Sequence, residues 1–180
     1  GKELEKILII NPFGIGDVLF TTTAIRAIRE NKPDSFIGYW CNQRVGELLK
    51  SSKKIDRVFA FSRGDIKKAA VKSRFEGLRI SFKLFFEIKK ERFTAALDYS
   101  LDHRYGLVLK LAGIKKRAGF DYKGRGRFLT DKLKLEGYSD KHVVDYYLDL
   151  LKFIGINPAG RSLELVVPAQ DKKRVKDELA

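Results

Sequence analysis

The sequence predicts an α/β fold, a Rossmann-like, doubly wound and mostly parallel sheet with helices on both faces. Three observations carry this expectation. Short apolar runs such as ILII (Ile7–Ile10), FIGYWC (Phe36–Cys41) and IDRVFAF (Ile55–Phe61) alternate with stretches of helical period, as strand–helix–strand units do. The first of these runs is continuously apolar and β-branched, which suits a parallel strand buried on both sides. The chain has 180 residues, 44% of them hydrophobic, enough for one domain with a real core.

In chain order, Leu4–Ile10 reads as a first strand. Thr21–Asn31 reads as a helix with Pro33 just past its end. Phe36–Cys41 is a second strand, Arg44–Ser51 a short helix and Ile55–Phe61 a third strand. Ile66–Glu91 carries a long helical pattern, with Val71, Phe75, Leu78, Phe82 and Phe85 at spacings of four, three, four and three. That is one helix face, expected in the core together with Trp40, and Gly77 is a point where the helix would break or bend. Phe93–Tyr99 is a fourth strand, Arg104–Ala112 a helix closed by Gly113, and Arg117–Phe120 a short fifth strand. Lys141–Phe153 is a helix ended by Gly155, with Pro158 beyond it. Residues 1–167 are expected to form one Rossmann-like domain. The charged run 168–180 reads as a linker into a second domain, or equally as a plain C-terminal helix.

Charge narrows the partners. Lysine and arginine number 37 against 23 acids, a net charge of +14. Such an excess calls for an anion: nucleic acid, an anionic membrane surface, or a phosphorylated or acidic sugar. The single cysteine, Cys41, rules out an internal disulfide framework and suits a reducing compartment. Set in an apolar run with no base near it in sequence, it reads as a buried strand thiol, not a nucleophile. The start GKELEK lacks the apolar core of a signal peptide. No run reaches the ~18 apolar residues that span a bilayer, so a cytoplasmic chain, soluble or peripheral, is expected.

The stretch NPFGIGDVLFTTTAIRAIRE, Asn11–Glu30, holds the chemistry. Gly14 and Gly16 let backbone approach a ligand, and the helix behind them favours an anion. The stretch fails the two commonest phosphate motifs. No Gly-Lys-Ser/Thr closes the loop, as a P-loop requires. The third glycine of G-x-G-x-x-G is missing, and Trp40, Cys41 and Asn42 stand where an acid would hold a ribose, which argues against an NAD enzyme. Asp17 has two readings: a first-turn aspartate stabilised by the helix dipole, or a carboxylate facing the crevice as a general base.

ILIINPFGIGDVLFTTTAIRAIRENKPDSFIGYW resembles the N-terminus of the heptosyltransferase family, the lipopolysaccharide core enzymes that use ADP-heptose. The similarity continues in order through IDRVFAFSRGD, FTAALDYS, LAGIKKRAGFDYKGRGRFLTD and HVVDYYLDLLKFIG. The resemblance implies half of a two-domain GT-B fold, an inverting glycosyltransferase whose acceptor-side domain this would be. It implies Asp17 as catalytic base, with Gly14, Ile15 and Gly16 of its turn as acceptor- or phosphate-binding residues. It implies an ADP-sugar donor held mainly by a second domain absent from these residues, so that the chain alone would be inactive or nearly so. The family often carries Thr-Pro where this chain has Thr22-Thr23, a mild departure within a helix.

The family's acceptor is an acidic sugar on a phosphorylated lipid, and the positive charge suits it. Candidate contacts lie near predicted strand ends: Arg63, His103, Arg104, Lys116, Arg117, Lys123, Arg125 and Arg127. Arginine can grip a carboxylate or phosphate with two bonds, although each could equally be a solvated surface charge. His142 matches a family histidine and could instead cap a helix. No His, Cys or Asp cluster has ligand spacing, so neither a metal nor another cofactor is expected. The basic segment 66–92 permits peripheral contact with the inner face of a membrane. The competing readings are a nucleic-acid-binding module, for which no RNA or DNA motif is present, and a stand-alone α/β folding unit.

Overall fold

β1 (Lys6–Ile10) is the axis of the molecule. Ile7, Leu8, Ile9 and Ile10 are completely buried. Alternation at period two sends Ile7 and Ile9 into one cluster of core side chains and Leu8 and Ile10 into another. The computed structural model describes residues 5–61, 63–137 and 142–158.

β1 pairs in parallel with β2 (Phe36–Asn42) on one side and β4 (Ala95–Asp98) on the other. β3 (Arg57–Phe61) continues from β2, while β5 (Lys116–Tyr122) and β6 (Asp131–Leu135) continue from β4. The sheet order is β3-β2-β1-β4-β5-β6, every described pairing being parallel. The winding therefore reverses between β1 and β4. Open sheets bind ligands at the carboxyl ends of the strands flanking such a reversal.

Helix α1 (Ile15–Asn31), α2 (Gln43–Leu49) and α6 (Val143–Asp149), the last running into a 3-10 helix at Leu150–Ile154, cover the Ile7 and Ile9 face. The Tyr99 hydroxyl donates to the Tyr147 carbonyl at 3.0 Å, and the two rings lie 4.4 Å apart. That contact ties α6 to the strand end of β4. Ile88 of α4 (Arg74–Glu91) and Tyr105 and Leu109 of α5 (His103–Leu111) cover the opposite face. Gly113 and Gly155 close α5 and the 3-10 helix at φ of +83° and +75°, the left-handed conformation glycine adopts most easily.

Four expectations are corrected. α1 begins at Ile15, six residues before Thr21. Gly14 is its extended N-cap, and the Val18 N–H donates to the Gly14 carbonyl at 3.2 Å. Half of the supposed loop is thus the first helical turn. The polar run continues the helix because Thr21 and Thr22 donate to the Val18 and Leu19 carbonyls one turn back, at 2.7 and 2.6 Å. Second, the predicted 66–91 helix is two: α3 (Arg63–Lys72) and α4, broken at Ser73, which is extended at φ −159°. Gly77 does not break the chain. It lets the two helices cross closely, since a Cβ there would stand 2.9 Å from the Ala70 Cβ. Third, the aromatic stripe is not core: Phe75 is 75% exposed and Phe82 54%. Fourth, β6 is an additional strand. Its sequence DKLKL carries three charges, which an edge position tolerates. Residues 159–180, and with them the expected domain boundary at 167 and the linker, lie outside the described residues.

Candidate functional site

The carboxyl ends of β2, β1 and β4 lie level, with Trp40, Ile10 and Asp98 side by side in register. The Asn11 N–H donates to the Trp40 carbonyl at 3.0 Å, and the Tyr99 N–H to the Ile10 carbonyl at 2.9 Å. Above this edge the β1–α1 loop leaves the sheet.

Two asparagines hold that loop. Asn11 is completely buried. Its amide donates to the Asp17 carbonyl at 3.2 Å, and its oxygen accepts from the Phe13 N–H at 3.1 Å. Asn42 sits at the end of β2. Its amide donates to the Phe13 carbonyl at 2.6 Å and the Pro12 carbonyl at 3.3 Å, while its oxygen caps α2 by accepting from the Val45 N–H at 3.0 Å. One side chain thereby fixes two neighbouring loops to each other. Both asparagines were passed over by sequence reasoning. Their signal was a polar amide ending a buried strand.

Asp17 occupies the third position of α1, in the first turn and partly exposed. The unpaired N–H groups at a helix start stabilise a carboxylate there. A Cβ placed on Gly14 or Gly16 would meet no atom within 4 Å. The loop, Asn42 and the start of α2 line a cavity of about 410 Å³, bounded by Gly14, Ile15, Gln43, Arg44 and Phe61. A second cavity, of about 520 Å³, lies on the α4–α5 face between Trp40, Phe61, Leu84, Tyr105 and Arg104.

Asp98 ends β4 at the winding reversal and is only 4% exposed. Burial pushes its carboxyl up to about 6. The Ser100 hydrogen bonds work against the rise, and the nearby Asp102 charge adds to it. The Ser100 N–H donates to it at 2.9 Å. An acid closing an otherwise apolar strand was a legible signal, and it too was passed over.

The remaining candidates divide by position. His103 and Arg104 open α5, on the same edge as Asp17. Asp102 caps that helix, and Arg104 binds its carboxylate at 2.6 Å through Nη2 and 3.0 Å through Nε. The hydrogen bonds from Arg104 hold the Asp102 carboxyl below the usual range. Arg104 is therefore already engaged, although its side chain remains 72% exposed. Arg63 opens α3 after β3 on this edge, and its side chain lies outside what the structure describes. His142 caps α6, its Nδ1 accepting from the Val144 N–H at 3.3 Å. Its ring stands edge-on to Phe20, 5.9 Å away and about one turn along α1 from Asp17.

Lys116 and Arg117 lie elsewhere. They start β5, so they stand at the amino edge of the sheet, opposite Asp17. Arg117 is spent on backbone: Nε donates to the Phe128 carbonyl at 2.7 Å and Nη1 to the Ile114 carbonyl at 2.5 Å. The predicted fifth strand already began at Arg117, so in a parallel sheet its place at the amino edge was legible. Arg125 and Arg127 are exposed in the segment returning from β5 to β6, over the Tyr122 and Phe128 rings. Arg125 and Lys123 follow directly on the carboxyl end of β5, two strands or about 10 Å from β1. Among the described residues no His, Cys, Asp and Glu side chains gather as a metal site, and no helix is long and apolar enough to cross a membrane.

No protein-family model and no curated protein matches the sequence. Solved structures do match it in fold. The chain is similar to E. coli ADP-heptose LPS heptosyltransferase II, at TM-score 0.67 and 18% identity, over 97% of this chain and 50% of that one. A glycosyl transferase of family 9 from Veillonella parvula matches at TM-score 0.75 and 17% identity, over 97% and 49%. The E. coli heptosyltransferase WaaC, solved with ADP-2-deoxy-2-fluoro heptose, matches at 0.72 and 15%, over 88% and 51%. The chain spans about half the length of each. It has the α/β, Rossmann-like fold that makes up half of a GT-B heptosyltransferase.

Proposed function

We propose that this chain is the acceptor-side, N-terminal half of an inverting glycosyltransferase that moves heptose from ADP-heptose to the inner core of lipopolysaccharide. One observation carries the reading. In a fold shared with half of each heptosyltransferase, Asp17, the residue that the sequence resemblance implies as base, stands in the first turn of α1 at the carboxyl edge of β1, beside the winding reversal.

In the proposed reaction an acceptor hydroxyl oxygen attacks the anomeric carbon of the heptose as the bond from that carbon to the ADP oxygen breaks. The carboxylate of Asp17 takes the hydroxyl proton, and ADP leaves with the bonding electron pair from the face opposite the attack. Asn11 and Asn42 position the turn that presents Asp17. The diphosphate is neutralised mainly by the other half of the enzyme. Arg63, His103, Arg104, Arg125, Arg127 and His142 remain candidates for the anionic acceptor. Lys116 and Arg117, on the far edge, bind it only if it wraps around the sheet. The chain works at the cytoplasmic side of the membrane.

The test is heptose transfer to a lipid A–Kdo acceptor by three proteins: the chain alone, the chain joined to a matching C-terminal half, and the joined protein carrying Asp17→Asn. Transfer is expected from the joined protein only. Asp17→Asn should lower its kcat by about 10²–10⁴-fold. An undiminished Asp17→Asn enzyme would sink the base assignment. A joined protein that transfers nothing, while retaining nucleic acid at physiological salt, would replace the reading with the nucleic-acid one.

A further inference from the structure

The hairpin of α3 and α4 is apolar on two opposite sides. Gly77, Leu84 and Ile88 of α4 face inward, Gly77 against Ala70 and Ile88 in the Leu8–Ile10 core. At 3.6 residues per turn, Phe75, Leu78, Phe82 and Phe86 fall on the far side of the same helix. They are 75%, 55%, 54% and 59% exposed, and Val71 at the end of α3 is 88% exposed. Single exposed apolar residues are unremarkable, but four in one stripe of α4, with a fifth at the end of the neighbouring α3, mark an interaction surface. A crossover helix packed on a sheet needs an apolar stripe on one side only.

Charge decides the occupant. Residues 66–92 hold nine lysines and arginines against three glutamates. All three glutamates are engaged: Glu76 with Arg79, and Glu87 and Glu91 with Arg57, Glu91 also with Lys6. By the same helical geometry Arg79, Lys83 and Lys90 flank the stripe on one side and Arg74 on the other. Lysines around a row of phenylalanines match an anionic bilayer, with rings in the acyl boundary and ammonium groups at the lipid headgroups. A docking protein would have to offer an apolar groove walled by acids on both sides.

We infer that the α3–α4 hairpin is a peripheral docking surface for an anionic phospholipid bilayer, entered by Phe75, Leu78, Phe82 and Phe86. The surface does not depend on the glycosyltransferase reading. It would hold if the chain transferred no sugar.

The test is co-sedimentation of the chain with vesicles of phosphatidylcholine, with and without phosphatidylglycerol, none carrying a sugar acceptor. The chain should bind the anionic vesicles, release them as salt is raised, and bind neutral vesicles far less. Phe75→Ser, Phe82→Ser and Phe86→Ser should each weaken binding about tenfold, the loss expected for withdrawing a ring from an apolar phase. These side chains contribute little to the core, so circular dichroism and Tm should not change. Lys83→Glu with Lys90→Glu should weaken binding and flatten its salt dependence. Phenylalanine variants that bind as wild type does would overturn the proposal. So would a chain that ignores anionic vesicles, or one that is a dimer which the same variants convert to monomer, because a second copy would then cover the stripe.

Discussion

Replacing Asp98 with asparagine should stabilise the fold at neutral pH and leave it unchanged in acid. Burial raises this carboxyl from an ordinary 3.8 to about 6, so the folded state disfavours its charge. Below about pH 4 the group holds a proton folded or unfolded, and it adds nothing to the balance. Between about pH 4 and pH 6 the unfolded chain gives up its proton first. The folded state then binds more protons, so stability falls as pH rises. Above about 6 the deficit is complete, and the gap corresponds to about 3 kcal/mol. Asparagine keeps the oxygen that accepts from the Ser100 N–H at 2.9 Å and carries no charge. Thermal unfolding of the two proteins across this pH range is the assay. The variant should melt about 6–12 °C higher at neutral pH for a chain of this length, the difference closing by about pH 4. A variant less stable than wild type at neutral pH, or a difference that does not vary with pH, would refute the argument from burial.

Asn42→Ala should cost about 2–4 kcal/mol in a denaturant melt, the sum of a lost helix cap and two broken bonds to the β1–α1 loop. Asn42→Asp keeps the cap and loses the donors, so it should destabilise less while impairing transfer as strongly. The Cys41 thiol, completely buried, is pushed up to about 12 by desolvation. Its labelling by a thiol reagent should track unfolding measured by circular dichroism, and fast labelling of the native chain would contradict its burial.

The sheet was legible because β1 to β4 are apolar runs separated by helical stretches, and burial on both faces demands that composition. β6 was not, because DKLKL at an edge resembles a loop. The start of α1 was missed because glycines at a helix's first turn cannot be told from loop glycines by spacing. The break at Ser73 has no composition of its own. The aromatic stripe showed the correct period but not its direction: periodicity places side chains on one face without saying whether protein or solvent lies there. Asp17 was singled out through resemblance, and the paired strands add only its place in the first turn of α1. Asn11, Asn42 and Asp98 act through hydrogen bonds and burial that only the paired strands create. Lys116 and Arg117 were legible as charges at the start of the fifth strand, and a parallel sheet puts that start at the edge away from Asp17.

At the β1–α1 turn, the cavity is walled by Pro12, Gly14 and Ile15. Gly14 has no positive φ, and a Cβ placed on it would touch nothing, so between two apolar side chains the backbone lies bare. A ligand resting there meets peptide groups, which a side-chain substitution does not retune. Discrimination between ligands falls to the α2 side of the cavity, where Gln43, Arg44 and Phe61 supply side chains of three different kinds. The cavity thus separates two tasks: one wall offers a fixed grip, and the other is where a change of substrate would be written.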